Sequence, residues 1–302
     1  MKKIILITLL AILVPCMVVS LLMHRSEDKF HYISNKVVRV KDEKTGKIEN
    51  ILFENYIKGV LAGEMPTSFD LEALKAQAVA ARSYVLYQMK AKKDDYDVVN
   101  TVSNQVYLND NELQKRWKGE YSSKMNKILK AVNATKGEYL SYNGEVAETL
   151  FFSTSVGATE NSEDVFSASV PYLRSVASTW DLKSPVYEDS AIFELKDFYV
   201  KLNLDYSDTI NYEILEKSST GRIKKIKING VVFNGRDVSK RLGLRSNCFE
   251  IFQNGSKVTI NTKGFGHGVG MSQYGALGMA KEGYTYDKIL KYYYQGTEIK
   301  KI

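Results

Sequence analysis

The stretch GFGHGVGMSQYGALGMAKEG, residues 264–283, sets glycines at 264, 266, 268 and 270 around His267, one of only three histidines in a chain of 302 residues. Glycine at every second position suits an extended segment whose backbone passes close to something bulky, because each missing Cβ removes the atom that would hold a neighbour away. A dinucleotide fingerprint needs G-x-G-x-x-G between a strand and a helix, and the Gly-Lys-Ser/Thr of a phosphate loop is absent as well. Ser272 stands where it can cap a helix SQYGALGMAKEG, so His267, Ser272, Gln273 and Tyr274 gather at one end of that helix.

His267 lacks the company that hydrolase or metal chemistry requires. No G-x-S-x-G elbow presents a serine to it, and no H-x-x-x-H or cysteine partner shares a zinc ion with it. Cys248 is the only cysteine beyond the N-terminal segment, so no intrachain disulfide forms there, and it reads as a small hydrophobe beside Phe249 and Ile251.

At the N-terminus, Lys2 and Lys3 precede twenty uncharged residues from Ile4 to Met23, about the length of a membrane-spanning helix. No small-residue cleavage site is evident around Ser20 to Ser26, so the segment reads as an uncleaved anchor. The two lysines place its start in the cytoplasm and send the remaining chain outside. A net charge of +7 suits an anionic polymer, wall or membrane surface, and no RNP, zinc-finger or basic-region pattern points to nucleic acid.

Alternation about the turn-like Glu43 to Lys47 predicts a β-hairpin over Val37 to Tyr56, leading into a short helix that ends near Glu64 before Pro66. The alanine-rich DLEALKAQAVAARSYVLYQM predicts a long helix capped by Asp70. A second helical region spans 111–137, and EYLSYNGEVAETLFFSTS reads as strand, Asn-Gly turn, strand. IKKIKINGVVFNGRDV carries Asn-Gly at two expected turns, and YTYDKILKYYYQGTEI reads as a helix and a last strand. The expected class is α+β: mixed helices and antiparallel hairpins. An anchor and linker occupy 1–26, a core is built from 35–190 and 261–302, and a smaller α+β module over 191–260 is inserted between its two parts.

Glu64, in GEMPTSF, is a carboxylate at a helix end among apolar neighbours, where loss of hydration raises its pKa toward that of a useful general acid. The plainer alternative is a carboxylate that caps a turn or pairs with a lysine. Arg82 on the following helix either orients Glu64 or a substrate oxygen, or is a solvated charge on an otherwise buried helix. In FFSTSVGATENSEDVF, the hydroxyls, amide and acid of Ser153, Thr154, Ser155, Thr159, Glu160 and Asn161 match the hydrogen-bonding needs of a sugar, or form an ordinary polar turn. Trp180 offers a stacking face or covers a core edge, with Lys183 close by.

Taken together, GEMPTSFDLEALKAQAVAARSYVLYQM, FFSTSVGATENSEDVFSASVPYLRSV, GRIKKIKINGVVFNGRDVSKRLGLRS and GFGHGVGMSQYGALGMAKEGYTYDKILKYYY resemble the stage II sporulation protein D family over nearly all of residues 35–302. The resemblance implies a membrane-anchored lytic transglycosylase that cleaves peptidoglycan glycan strands stripped of peptide by a sporulation amidase, during engulfment of the forespore. Its location would be the mother-cell side of the engulfing septum, and its companions the amidase and a membrane partner of that machinery. A homologous group enhances amidases, so a glycan-binding enhancer that cleaves nothing is the alternative.

By position, the resemblance implies that Glu64 is the catalytic acid and that Arg82, Lys183 and His267 position it or the sugar. Ser153, Ser155, Thr159, Glu160, Ser272, Gln273 and Tyr274 would line the glycan groove. Val156 departs from members with glycine there, and Asn104 stands where some carry cysteine, so no metal or other cofactor is expected. An ordinary muramidase would instead need a second carboxylate, for which Glu160, Glu163 and Asp164 are the candidates.

Overall fold

The computed structural model describes residues 36–91 and 94–302. The anchor expected over residues 4–23 lies outside the described residues, and among the described ones no helix is long and apolar enough to cross a membrane.

Strands β1 (Val37–Lys41) and β2 (Ile48–Leu52) form the expected antiparallel hairpin, and α1 (Phe53–Glu64) follows directly. Helix α2 (Leu71–Lys90) begins where the Asp70 side chain accepts the Glu72 N–H. Small alanines keep α2 slim enough to be packed on nearly all sides, so it becomes the axis of the core rather than a surface helix. Strand β3 (Val98–Val99) adds to β1 in parallel.

The helical region expected over 111–137 is two helices, α3 (Asp110–Trp117) and α4 (Tyr121–Ala134). Lys118 at φ 48° turns the chain between them. Asn109 and Glu112 close a reciprocal cap on α3. Strands β4 (Glu138–Tyr142) and β5 (Glu145–Val146) meet across Asn143-Gly144, both at positive φ as a two-residue hairpin turn of this kind requires. Strand β6 (Phe151–Phe152) and the single-turn α5 (Ser162–Val165) follow.

Residues 188–263 build β7 (Glu188–Glu194), α6 (Leu195–Leu202), β8 (Tyr212–Lys217), β9 (Ile223–Ile228), β10 (Val231–Asn234), α7 (Gly235–Leu242), β11 (Phe249–Asn254) and β12 (Lys257–Lys263). They make two three-stranded antiparallel sheets, β10-β9-β8 and β11-β12-β7. Their own apolar cluster includes Phe198, Leu202, Ile226, Val238 and Ile260. Only the first Asn-Gly of this segment is a turn. The second starts α7: the Asn234 side chain accepts the Arg236 N–H, and a Cβ on Gly235 would lie 2.1 Å from the Ile223 carbonyl oxygen.

The chain then returns to the core through β13 (Met271–Ser272), α8 (Gln273–Lys281), α9 (Tyr286–Tyr293) and β14 (Glu298–Lys301). β13 pairs in parallel with β6, and β14 is antiparallel to β4. One face of α2 packs with α1 and α4, and the other with α8 and α9, so segments two hundred residues apart share one helix. The protein is α+β, as its sequence pattern indicates.

Candidate active site around Glu64

Glu64 is the last residue of α1, and what holds it is decided by the glycines before it. A Cβ on Gly59 would lie 2.4 Å from the Tyr107 ring, and one on Gly63 would lie 2.4 Å from the Val106 carbonyl oxygen. Their absence lets the 105–108 segment lie flat on α1. The Val106 N–H thereby donates to Glu64 Oε1 at 2.6 Å. Buried Gln105 fixes the segment, accepting from the Tyr56 hydroxyl at 3.1 Å.

No cation pairs with Glu64 among the described residues. Burial pushes its carboxyl up to about 7, while the Val106 N–H and the carboxamide of Gln273 pull in the other direction. Gln273 is the first residue of α8, and its Nε2 makes no complete hydrogen bond. It therefore stands beside the acid as a donor not fully engaged. Tyr84 on α2 is close enough for the charge of Glu64 to raise its phenol, after the larger effect of burial. Its hydroxyl accepts from Asn104 Nδ2 at 2.8 Å.

The glycine-rich segment forms the neighbouring wall. Gly264, Gly266, Gly268 and Gly270 all take positive φ, between 74° and 100°. The bulk they accommodate includes Arg222, which enters from the turn before β9: a Cβ on Gly268 would lie 3.1 Å from its guanidinium and 2.8 Å from Glu160 Cγ. Arg222 is 1% exposed, donates from Nη1 to the Gly266 carbonyl at 2.8 Å, and lies 3.8 Å from Glu160.

His267 is held by backbone. Its Nδ1 accepts the Val269 N–H at 3.1 Å, a backbone hydrogen bond joins the ring to Phe151, and Phe152 and Phe166 flank it. Burial, then the positive charges of Arg222 and Arg236, push its pKa down to about 4, so the imidazole is neutral at ordinary pH. It lines the cavity beside Tyr84 and makes no hydrogen bond to Glu64.

Several residues expected in the groove face inward instead. Arg82 is fully buried, with Nε and Nη2 on Glu54 at 3.0 and 2.9 Å and further bonds to Thr135 and the Val132 carbonyl. It ties α1, α2 and α4 together and is neither a solvated charge nor a partner of Glu64. Glu160 is enclosed with Arg222 and accepts from Ser218 and Thr220. Thr159 is buried, its hydroxyl accepting the Val176 N–H at 2.9 Å.

Ser155 and Ser272 are also buried, and both donate to Asp181 at 2.6 Å. Ser178 makes a third such bond, also at 2.6 Å. Asp181 thus locks the turn Thr179–Lys183 to the start of α8, and Ser272 in turn caps that helix by accepting the Gly275 N–H. On that turn Lys183 is exposed, while Trp180 packs on Gly278 and Tyr292 as a core-edge cover. The Ser153 carbonyl accepts from the Tyr274 N–H and the Ser272 hydroxyl, and Tyr274 sets its ring edge-on to Phe69 at 5.0 Å, near Glu64 in sequence.

Two residues were not singled out from sequence. Asp181 was hidden because a buried acid satisfied by serines has no spacing signature. Glu148 lines the cavity with Tyr84, and burial raises its carboxyl. The run ETLFF around it reads simply as strand.

Comparison with known proteins finds relatives along most of the chain. A family model described as stage II sporulation protein matches residues 41–142. The chain is 46% identical over 260 residues to stage II sporulation protein D of Bacillus subtilis (strain 168), covering 83% of this chain and 75% of that protein. It is 44% identical over 259 residues to the protein of the same name from Bacillus amyloliquefaciens, with the same coverage. An "Amidase enhancer" of Bacillus subtilis (strain 168) is 33% identical over 298 residues, 80% of this chain and 40% of that protein. With such identity over 83% of this chain and 75% of each of the two Bacillus proteins of that name, the chain belongs to the stage II sporulation protein D family.

Proposed function

We propose that this protein is a peptidoglycan lytic transglycosylase acting on peptide-stripped glycan strands during forespore engulfment. In this reading residues 4–23 anchor it to the membrane, and the catalytic part lies outside the cytoplasm on the mother-cell side. The observation that carries the reading is Glu64, a carboxyl without an ion partner among the described residues, whose burial raises it to about 7. Such a group holds a proton near neutral pH and can take one back.

The chemistry balances with one carboxyl. Protonated Glu64 gives its proton to the glycosidic oxygen as the bond to the muramyl anomeric carbon breaks. The carboxylate then removes the proton of the muramyl 6-hydroxyl, whose oxygen bonds to that carbon and closes the anhydro ring. No water is consumed, and Glu64 ends protonated as it began. Carrying the nucleophile within the substrate replaces a bimolecular step by an intramolecular one. The Gln273 amide is positioned to steady the carboxylate form.

A hydrolase with two carboxyls fits less well at the positions expected for the second one. Glu160 is enclosed with Arg222, Glu163 pairs with Arg174 at 2.5 Å, and Asp164 pairs with Lys224 at 3.1 Å. Mass spectrometry of products from peptide-free strands tests the proposal. Anhydromuramyl ends that vanish in Glu64→Gln support it, whereas reducing ends or retained product overturn it.

The relative named an amidase enhancer favours a second reading, in which the same surface binds glycan and stimulates a partner amidase. A protein of that kind releases no glycan fragments but raises amidase turnover even as Glu64→Gln.

A further inference from the structure

A cavity of about 460 Å³ lies beyond Tyr84 and is walled by both parts of the molecule. The core supplies Tyr84, Asn104 and Glu148, and α7 of the inserted segment supplies Arg236. Two links join the cavity to the acid: Tyr84 feels the charge of Glu64 as well as Glu148, and the loop bearing Asn104 continues to the Val106 N–H that Glu64 accepts. The volume is within the range of small-ligand sites.

Arg236 is the one permanent cation among the lining residues, since His267 is neutral. Its Nη1 donates to the Val165 carbonyl at 2.6 Å and its guanidinium lies 5.2 Å above the Phe166 ring. It forms no ion pair with an acid among the described residues, so a planar fork is held in place with donors left over. Glu148 is the one acid of the lining, and burial raises its carboxyl, which weakens its opposition to an anion. The rest of the wall mixes apolar side chains such as Leu150, Phe166 and Val170 with the polar Ser103 and Ser162.

A cavity with apolar patches beside hydrogen-bonding groups and one stacked guanidinium matches an acetamido sugar that carries methyl groups and one carboxylate. A muramic acid residue of the strand has both: acetamido and lactyl methyls, and a lactyl carboxyl that is free only when no peptide is attached through an amide. We propose that this cavity takes a muramic acid residue ending in a free lactyl carboxylate, and that Arg236 recognises that carboxylate. The assignment rests on the glycan-cleaving reading above. Peptide removal would then be sensed by charge, because an amide offers Arg236 no anion and extends the substituent beyond the cavity.

The test uses the full-length Glu64→Gln protein in detergent, which binds without cleaving. Its partners in calorimetric titration are a tetrasaccharide of alternating N-acetylglucosamine and N-acetylmuramic acid, and the same sugar with its lactyl carboxyls converted to primary amides. The free acid should bind about tenfold more tightly than the amide, and added Arg236→Gln should remove that difference by weakening the acid alone. Arg236→Lys should restore part of the preference, since a charge remains but the fork is lost. Equal affinity for acid and amide, or a preference that survives Arg236→Gln, overturns the assignment while leaving glycan cleavage standing. Binding of neither sugar overturns both.

Discussion

The Val106 N–H donates to Glu64 Oε1 at 2.6 Å, yet the carboxyl still sits at about 7. One backbone donor is too little to replace the water that burial removes. Glu64→Gln should keep the fold and lower release of anhydromuramyl product by at least about a hundredfold, the scale of a lost general acid. Product quantified by mass spectrometry beside an unchanged circular dichroism spectrum is the measurement.

The same raised pKa sets a pH dependence of stability. The folded carboxyl binds its proton more tightly than the unfolded one, so its contribution is full below about 4.3 and is lost as pH rises through about 7. Wild type should therefore lose stability relative to Glu64→Gln across that window, by on the order of 1–2 kcal/mol at pH 8 after allowing for partial exposure. Urea melts of both proteins at pH 5 and pH 8 measure it; parallel pH trends would refute the burial of an ionisable Glu64.

Arg82→Ala should act on the fold and not on substrate affinity. It strands the largely buried Glu54 and removes one donor from the Val132 carbonyl, at a cost of about 3 kcal/mol or more. Denaturant melts should show that loss, with KM for glycan unchanged in the material that folds. A KM raised about tenfold at unchanged stability would return Arg82 to the groove.

Arg222→Gln should raise the pKa of His267 above about 4 without restoring the ordinary value, because burial is the larger cause and Arg236 remains. Proton NMR of the His267 ring during an acid titration reports this directly. If the value does not move, Arg222 is only a mechanical support of the glycine wall.

Gly270→Ala should destabilise by more than about 2 kcal/mol, combining a positive φ with a Cβ placed 2.0 Å from the Leu150 carbonyl oxygen. Gly255→Ala is the control: it shares a positive φ but meets nothing within 4 Å, so only the backbone cost of about 1 kcal/mol applies. Equal losses would mean that close packing adds nothing.

These contrasts show what could be read from sequence. The α2 helix and the β4–β5 hairpin were legible because their determinants are local: an Asp70 cap, alanines, and Asn143-Gly144. Glu64 stood out through its own apolar neighbours. Arg82 misled because Glu54, its partner, belongs to another helix and no spacing rule links them. The glycine alternation announced a close approach but not its cause, since Arg222 comes from the turn before β9 and Glu160 from the stretch between β6 and α5. Serines 155 and 272 resembled sugar ligands for the same reason: Asp181, which collects both, is visible only in three dimensions.

The pairing of Glu64 with Gln273 across 209 residues also bears on synthesis. A chain made from its N-terminus carries the acid long before the amide, and β4 likewise precedes its partner β14, Ser141 pairing with Glu298. Until residues 264–301 have emerged and folded onto α2, Glu64 lacks the Gln273 carboxamide beside it. The surroundings of this acid are thus incomplete in every unfinished copy of the protein.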